Sequence, residues 1–409
     1  MKAHVKDLDC RGLKVIVRVD FNVPFKDDGS IRDDNRIRAA LPTIRELIEK
    51  GAKVILMSHL GKIKWGKVDD AEIAKELKKN NMAPVANRLA ELLDKKVTFC
   101  SVTKGKELED DVAALKDGDV LLMQNTRYEK GETKNNPELA SYWAGLGDAF
   151  VMDAFGSAHR AHCSTVGIPE ILLKEGKPVC VGYLVEKEVV ALNKCVEVRP
   201  EDRPYVAILG GLKVSDKIKV IDTLLTKCDS IIICGAMAYT FYKALGVGTG
   251  TSPVEDDQLD YAKKCNASGK IILPIDNVVS DEFDNPKKIE TVDWNCVPDG
   301  MMGMDIGPKT VVRFQETLKG AKTIFWNGPC GVFEKDEFQN GTKGICKAVA
   351  DATKRGAFTV VGGGDSAAAV KQFGYKNSFS HISTGGGASL EMIQFDGHIP
   401  GIDVIPEAK

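Results

Sequence analysis

The chain has 409 residues, 43% hydrophobic and 28% charged, which is the composition of an ordinary globular protein of two or three domains at roughly 150 residues each. Lysine and arginine number 56 against 58 acidic residues, a net charge of −2; this argues against a dedicated nucleic-acid binder and a disordered chain, but leaves room for a local basic patch that binds a small anion. No apolar run approaches the ~20 residues of a bilayer crossing, MKAHVKDLDC at the start holds no signal core, and PEAK near the end is no peroxisomal tripeptide, so the expectation is a cytoplasmic protein. The 11 cysteines are odd in number, scattered from Cys10 to Cys346 and never in CxxC spacing; they read as small buried apolar residues.

Short β-branched runs alternate with longer amphipathic stretches. The first half offers strands KVIVRV (14–19), KVILMS (53–58), DVLLM (119–123) and AFVMD (149–153), with helical patterns between them, as at 36–50 and 84–94. YLVEKEVVALNKCVE (183–197) reads as one long helix. The second half offers YVAILGG (205–211), SIIICG (230–235), KIILPI (270–275), KTIFWNG (322–328), FTVVGGG (358–364) and SHISTGGG (380–387). Strands apolar on nearly every residue belong in parallel sheets covered on both faces, so the fold class is α/β with right-handed crossovers. There are too many units for one small sheet, and a division into two sheets near 184–190 is natural. In open α/β sheets ligands bind beyond the C-terminal ends of strands, so chemistry is sought just after each one.

Five strands of the second half end in glycine and lead into a helix: GGLKVSDKI (210–218), CGAMAYTF (234–241), NGPCGVFE (327–334), GGGDSAAAV (362–370) and TGGGASLEM (384–392). Glycine lets a ligand approach the backbone, and the helix start offers free N–H groups to an anion. Five such turns on one sheet edge read as a nucleotide or phosphate cradle. GxxxxGK[ST], GxGxxG and the protein-kinase HRD and DFG elements are all absent, which excludes the common nucleotide sites. Lys213 and Lys217, four apart, are expected on one face at a helix start. Asp365 and Ser366 are expected to cap their helix, and Asp365 is the magnesium candidate.

In the first half, VDFNVP (19–24), RIR (36–38), SHLGK (58–62), QNTRYE (124–129) and DAFGSAHRAHCST (153–165) place Arg36, His59, Lys62, Arg127, His159, Arg160 and His162 after strands. Gathered cations point to an anionic small molecule held by arginine forks. A zinc site is the competing reading, without a carboxylate at ligand spacing near HRAH.

Taken together, RVDFNVP, DNRIRAALPTI, MSHLG, QNTRY, DAFGSAHRAHCST, AILGGLKVSDKI, MGMDIGP, WNGPCGVFE, VVGGGDS and STGGGASLE stand in an order that resembles the phosphoglycerate kinases over essentially the full length. The resemblance implies two doubly wound, Rossmann-like α/β domains facing each other across a hinged cleft. It implies transfer of the acyl phosphate of 1,3-bisphosphoglycerate to Mg-ADP, giving 3-phosphoglycerate and ATP, by a monomer without nucleic-acid or membrane partners. Residues 1–184 with the tail 392–409 would take the glycerate, and 185–391 the Mg-nucleotide. Asp20, Phe21, Asn22, Arg36, His59, Leu60, Gly61, Lys62, Arg127 and Arg160 would line the glycerate site. Gly211, Leu212, Lys213, Lys217, Gly235, Gly303, Asn327, Pro329, Glu334, Gly362, Gly363, Gly364, Asp365 and Ser366 would line the nucleotide site, with Glu334 on the ribose and Asp365 toward magnesium. Arg36, Lys213, Lys217, Gly363 and Gly386 would act on the moving phosphoryl group.

The sequence departs from the family pattern at four places. Lys62-Ile63 stands where Arg-Pro is usual, Leu212 and Ala236 stand where Ala and Gly are usual, and the lysine-rich stretch 63–81 reads as a solvated helix or loop of unknown purpose. Two other classes compete with the kinase reading. A two-domain dehydrogenase is disfavoured by the missing GxGxxG, and a non-enzymatic binding protein for phosphorylated metabolites by the Mg-nucleotide elements.

Overall fold

The computed structural model describes residues 1–408. The chain divides into two compact units, Met1–Val189 with His398–Lys409, and Val190–Gly397; the boundary falls within the helix Tyr183–Val196, which is the predicted long helix.

The first unit is built on six parallel strands: β1 (Lys14–Val19), β2 (Lys53–Met57), β3 (Val97–Cys100), β4 (Val120–Met123), β5 (Ala149–Asp153) and β6 (Val179–Val181), in the order β3-β4-β2-β1-β5-β6. The central strands are apolar throughout because helices cover both faces; Val15, Val17, Ile55, Leu121 and Val151 are fully buried. The helix Asn35–Glu49 shows how the covering works: Ile37, Leu41, Ile44 and Leu47 recur every three or four residues and all are buried. The segment from His398 packs on this unit, with the Gly401 amide donating to the Ala158 carbonyl at 2.7 Å and the Ala3 amide to Pro406 at 2.8 Å.

The second unit also has a six-stranded parallel sheet. Its strands are β7 (Tyr205–Leu209), β8 (Ser230–Ile233), β9 (Ile271–Ile272), β13 (Thr323–Asn327), β14 (Phe358–Gly362) and β15 (His381–Ile382), ordered β15-β14-β13-β7-β8-β9. Inserted after β9 is a second, antiparallel sheet of β10 (Asp276–Ser280), β11 (Ile289–Asp293) and β12 (Met302–Ile306).

That small sheet was not expected, and neither were β3 and β6. β11 alternates exposed and half-buried residues, and β3 is mostly half-buried, so neither shows the continuous apolar run that marks a doubly covered strand. The predicted strands at 270–275 and 380–387 shrink to two residues each, and both are sheet edges. Ten of the free cysteines are buried and Cys296 is exposed. Among the described residues no helix is long and apolar enough to cross a membrane.

Candidate functional site

In the first unit the strand ends bring the predicted residues together. Asp20 and Asn22 follow β1: Asp20 Oδ2 pairs with Arg36 Nη1 at 2.5 Å, and Asn22 Oδ1 accepts the Gly61 amide at 2.8 Å. The buried Phe21 donates its amide to Ser58 Oγ at 2.8 Å, which ties the β1 end to the β2 end. Asn125, after β4, clasps Leu60 through both its amide and its carbonyl, at 3.1 and 2.7 Å. Arg127 donates to the Gly61 carbonyl, while Arg160 and Lys62 are exposed.

Beneath this layer lies a buried network that sequence reasoning missed. Arg18, inside β1 and 1% exposed, donates from Nε to Ser164 Oγ (2.7 Å), from Nη1 to the Val19 carbonyl (2.6 Å) and from Nη2 to His59 Nδ1 (3.1 Å). Ser164 passes the contact on, its hydroxyl donating to Glu132 Oε1 at 2.9 Å and its amide at 3.0 Å. A signal for Arg18 was available, since one arginine interrupts an otherwise apolar strand. Glu132 gave none, because GETK reads as surface.

A guanidinium has donors only, so His59 Nδ1 accepts and its Nε2 carries the proton. Burial, then Arg18, Arg127 and Arg36, hold the His59 pKa well below the ordinary value. Burial and neighbouring arginines push His159 down to about 4 and His162 to about 3. The histidines here are therefore neutral donors or acceptors, and the positive charge rests on the arginines. Burial, then Arg18 and Arg160, lower Arg127 to about 10. Such mutual repulsion is what a bound anion relieves.

In the second unit a cavity of about 240 Å³ is lined by Gly211, Leu212, Gly235, Gly303, Pro329, Glu334 and Asp365. Two glycines make it possible. A Cβ on Gly235, which has φ +68°, would stand 2.7 Å from the Gly211 amide nitrogen. A Cβ on Gly303 would meet the Tyr239 hydroxyl at 1.7 Å. Ala236, Tyr239, Asn277 and Asp305 also line it; Ala236 and, within MGMDIGP, Asp305 had been noted, and Asn277 and Tyr239 carry buried polar atoms without a partner. Burial raises the Asp305 carboxyl to about 7, against the hydrogen bonds it accepts from Gly341 and Ile306.

The remaining predicted residues adjoin this cavity. Lys217 Nζ reaches Asn327 Oδ1 at 2.5 Å, and Asn327 Nδ2 donates to the Gly362 carbonyl at 2.9 Å. Ser366 Oγ accepts the Gly328 amide at 2.6 Å. A Cβ on Gly386 would stand 2.7 Å from Gly363 Cα, so the glycine turns after β14 and β15 are stacked.

Three local expectations are corrected. Lys213 and Lys217 do not share a helix face, because the helix begins only at Ile218 and both lie in the preceding loop, Lys213 exposed. The segment 327–334 leads through turns rather than directly into a helix, which starts at Asn340. Asp365 and Ser366 do not cap their helix: Gly363 is the cap of Gly364–Gln372, with φ +102°, which leaves the Asp365 side chain exposed at the cavity rim.

Lys217 supports a pH prediction. Desolvation lowers its pKa from 10.5 to about 8. Phosphate oxygens favour the charged form and should draw the pKa back up on binding. The KM of a phosphate-bearing substrate held there should therefore be flat below pH 8 and rise above it, by about tenfold at pH 9. The unfolded chain holds this proton more tightly between pH 8 and 10.5, so this residue's contribution to stability rises with pH across that window. Lys217→Arg should flatten the KM profile; an identical rise in that variant would remove Lys217 as its source.

Comparison with known proteins gives one consistent answer. The family model described as phosphoglycerate kinase matches residues 5–396. The phosphoglycerate kinase of Enterococcus faecalis is 53% identical over 399 residues, covering 96% of each chain. That of Latilactobacillus sakei is 52% identical over 416 residues, covering 99% of each. Among solved structures, phosphoglycerate kinase from Coxiella burnetii has a TM-score of 0.84 at 38% identity, covering 99% of this chain and 98% of that one. The enzyme from Pyrococcus horikoshii has a TM-score of 0.82 at 33% identity, covering 98% of each.

Proposed function

The chain belongs to the phosphoglycerate kinase family, and on that premise we propose that the first unit binds 3-phosphoglycerate or 1,3-bisphosphoglycerate and the second binds Mg-ADP or Mg-ATP. The activity is reversible phosphoryl transfer with a carboxyl group as acceptor. In the ATP-forming direction a β-phosphate oxygen of ADP attacks the acyl phosphorus, the bond from phosphorus to the carboxyl oxygen breaks, and the carboxylate of 3-phosphoglycerate leaves. No protein nucleophile is required, and catalysis consists of positioning and charge neutralisation.

The observation that carries the reading is the crowding of Arg18, Arg127 and Arg160 around neutral histidines at the strand ends. Arg127, Arg160 and the Nε2–H of His59 hold the phosphate and carboxylate of the glycerate. Asp20 and Asn22 accept or donate to its hydroxyl, with Phe21, Leu60, Gly61 and Lys62 shaping the approach. The base lies in the cavity between Gly211, Leu212, Gly235, Gly303 and Pro329, and Glu334 takes the ribose hydroxyls. Lys217 and Asn327 meet the nucleotide phosphates with Ser366 and the amides of Gly362–Gly364. Arg36, Lys213 and the amides around Gly363 and Gly386 stabilise the equatorial oxygens of the moving group.

Asp365 fits magnesium, since it is an exposed carboxylate on the cavity rim beside the helix start, and magnesium takes one or two carboxylates plus phosphate oxygens. When bound there the ion would neutralise nucleotide phosphate charge. The reading also carries a monomeric, cytoplasmic enzyme acting on small molecules.

The direct test is a coupled assay with 3-phosphoglycerate and Mg-ATP; no turnover of this pair would sink the assignment. Glu334 gives a second check. A carboxylate that holds only ribose binds ground and transition states alike, so Glu334→Ala should raise the nucleotide KM about tenfold with a smaller change in kcat. A large loss of kcat at constant KM would give Glu334 a chemical role instead.

A further inference from the structure

The lysine-rich stretch 63–81 has no part in the reaction derived above, yet its hydrogen bonds converge on the glycerate-site segments. It forms a turn carrying Trp65 and then the helix Asp70–Lys79, the helical form of the expected solvated helix or loop; Ile73 and Glu76 face inward. Glu76 accepts the Lys64 amide at 2.6 Å and lies 3.4 Å from Lys64 Nζ, which ties the turn to the helix. The resulting arm is bonded to the β4 end at three points. The indole N–H of Trp65 donates to the Arg127 carbonyl at 3.0 Å, the Tyr128 hydroxyl donates to the Leu77 carbonyl, and Asn125 Nδ2 donates to the Asn80 carbonyl at 3.0 Å.

Arg127 stands where these bonds meet. Its amide donates to Asn125 Oδ1 at 3.0 Å, its carbonyl accepts from Trp65, and its guanidinium donates to Gly61. It sits in a three-residue turn, Thr126–Tyr128, closed only by the Tyr128 amide on the Asn125 carbonyl (2.9 Å) and the Glu129 amide on the Thr126 carbonyl (3.2 Å), which leaves the Arg127 carbonyl to Trp65. Its guanidinium is also repelled by Arg18 and Arg160, so an unrestrained side chain would swing toward water. Trp65 is only half-buried: Lys130 Nζ lies 5.0 Å from its ring centroid, and with Tyr128 it walls an open cavity of about 540 Å³. The indole is not locked in a core, and its N–H is its specific link to the site.

We propose that Trp65 is a positioning residue for the glycerate site. Through its indole N–H it holds the Arg127 turn so that the guanidinium faces the anionic group of 3-phosphoglycerate, and the 63–81 arm is the support that carries it. The proposal rests on the reading of Arg127 as a substrate ligand.

Trp65→Phe keeps a smaller aromatic face for Lys130 and removes the indole N–H. The 3-phosphoglycerate KM should rise about tenfold with kcat within about twofold and the Mg-ATP KM unchanged, as expected when a binding group loses its support. In the Arg127→Ala background the same change should matter less than about twofold, because no guanidinium remains to be placed. Tyr128→Phe loosens the arm at its other end and should shift the KM in the same direction by a smaller factor; it decides the matter if Trp65→Phe folds poorly by thermal melting. A rise of equal size in both backgrounds, or no rise, overturns the positioning role, since a residue that only stabilises the fold would act regardless of Arg127. If Arg127→Ala alone leaves the 3-phosphoglycerate KM at the wild-type value, the ligand reading of Arg127 is what fails, and the positioning role falls with it.

Discussion

Arg36→Ala should lower kcat by about 10²–10³, the loss of roughly 3–4 kcal/mol that follows removal of one preorganised electrostatic contact to the transition state. Arg36 lies in the first turn of the helix Asn35–Glu49 and is anchored to Asp20 at 2.5 Å before any substrate arrives. That pair uses one of five guanidinium N–H donors. The others are free for a group whose charge develops only during transfer, and such a contact raises kcat rather than affinity. The Asp20 contact also sets a complication, because in Arg36→Ala the Asp20 carboxylate would face an anionic substrate without its partner. The 3-phosphoglycerate KM should then rise by about fivefold from repulsion alone. Arg36→Ala combined with Asp20→Asn separates the two effects: KM should return toward wild type while kcat stays low. Arg36→Lys should recover only part of the rate, since it keeps the charge but loses the fork. Steady-state kinetics on the four proteins decides this, and a kcat within a few-fold of wild type in Arg36→Ala would make Arg36 a ground-state anchor.

Glu132→Gln should cost about 3 kcal/mol of stability in the first unit. Removing one member of a buried charge pair costs roughly 3–5 kcal/mol because the other charge is left uncompensated. The low end applies here because Ser164 stands between Arg18 and Glu132. For a unit of roughly 200 residues this corresponds to a fall of about 6–12 °C in the melting transition. Inorganic phosphate or 3-phosphoglycerate should recover part of the loss, since an anion bound near Arg18 takes over some of the compensation. Arg18→Met with Glu132→Gln should melt higher than Glu132→Gln alone, because the stranded cation is then gone. A Glu132→Gln transition within 2 °C of wild type, measured by calorimetry with and without phosphate, would show that Arg18 is compensated by other means, with Asp20 the nearest alternative.

The three corrections at strand ends share a cause. Spacing in the sequence says which residues are near one another only once the local conformation is known. Lys213 and Lys217 are four apart, but helical spacing means nothing in the loop before Ile218. Asp365 has the chemistry of a helix cap, yet the chain turns one step earlier at Gly363. The edge strands β9 and β15 were overextended: each has a ladder partner on one side only, and the polar and glycine residues after Ile382 do not continue as strand. The antiparallel sheet β10–β12 escaped notice because β11 alternates exposed and half-buried residues, while β10 (DNVVS) and β12 (MGMDI) are short and interrupted by polar residues or glycine, and none shows the apolar run of a doubly covered strand.

What the amino-acid sequence determined by itself is the α/β class and the kinds of group at each strand end. Strands covered on both faces must be apolar throughout, and turns that approach a phosphate closely must be glycine, so these features are written in composition and order. Only the tertiary structure decided how those groups are held. Arg18, Ser164 and Glu132 are far apart in the chain and meet because β1 neighbours β5, beyond which the π-helical turn Cys163–Gly167 lies against the Glu132 turn. Trp65 reaches Arg127 only because the 63–81 arm folds onto the β4 end. Both contacts depend on desolvation and on distances across strands, and neither leaves a local trace, since an arginine and a glutamate bridged by a serine, and a supporting indole, are made of residue types that serve as readily on a surface.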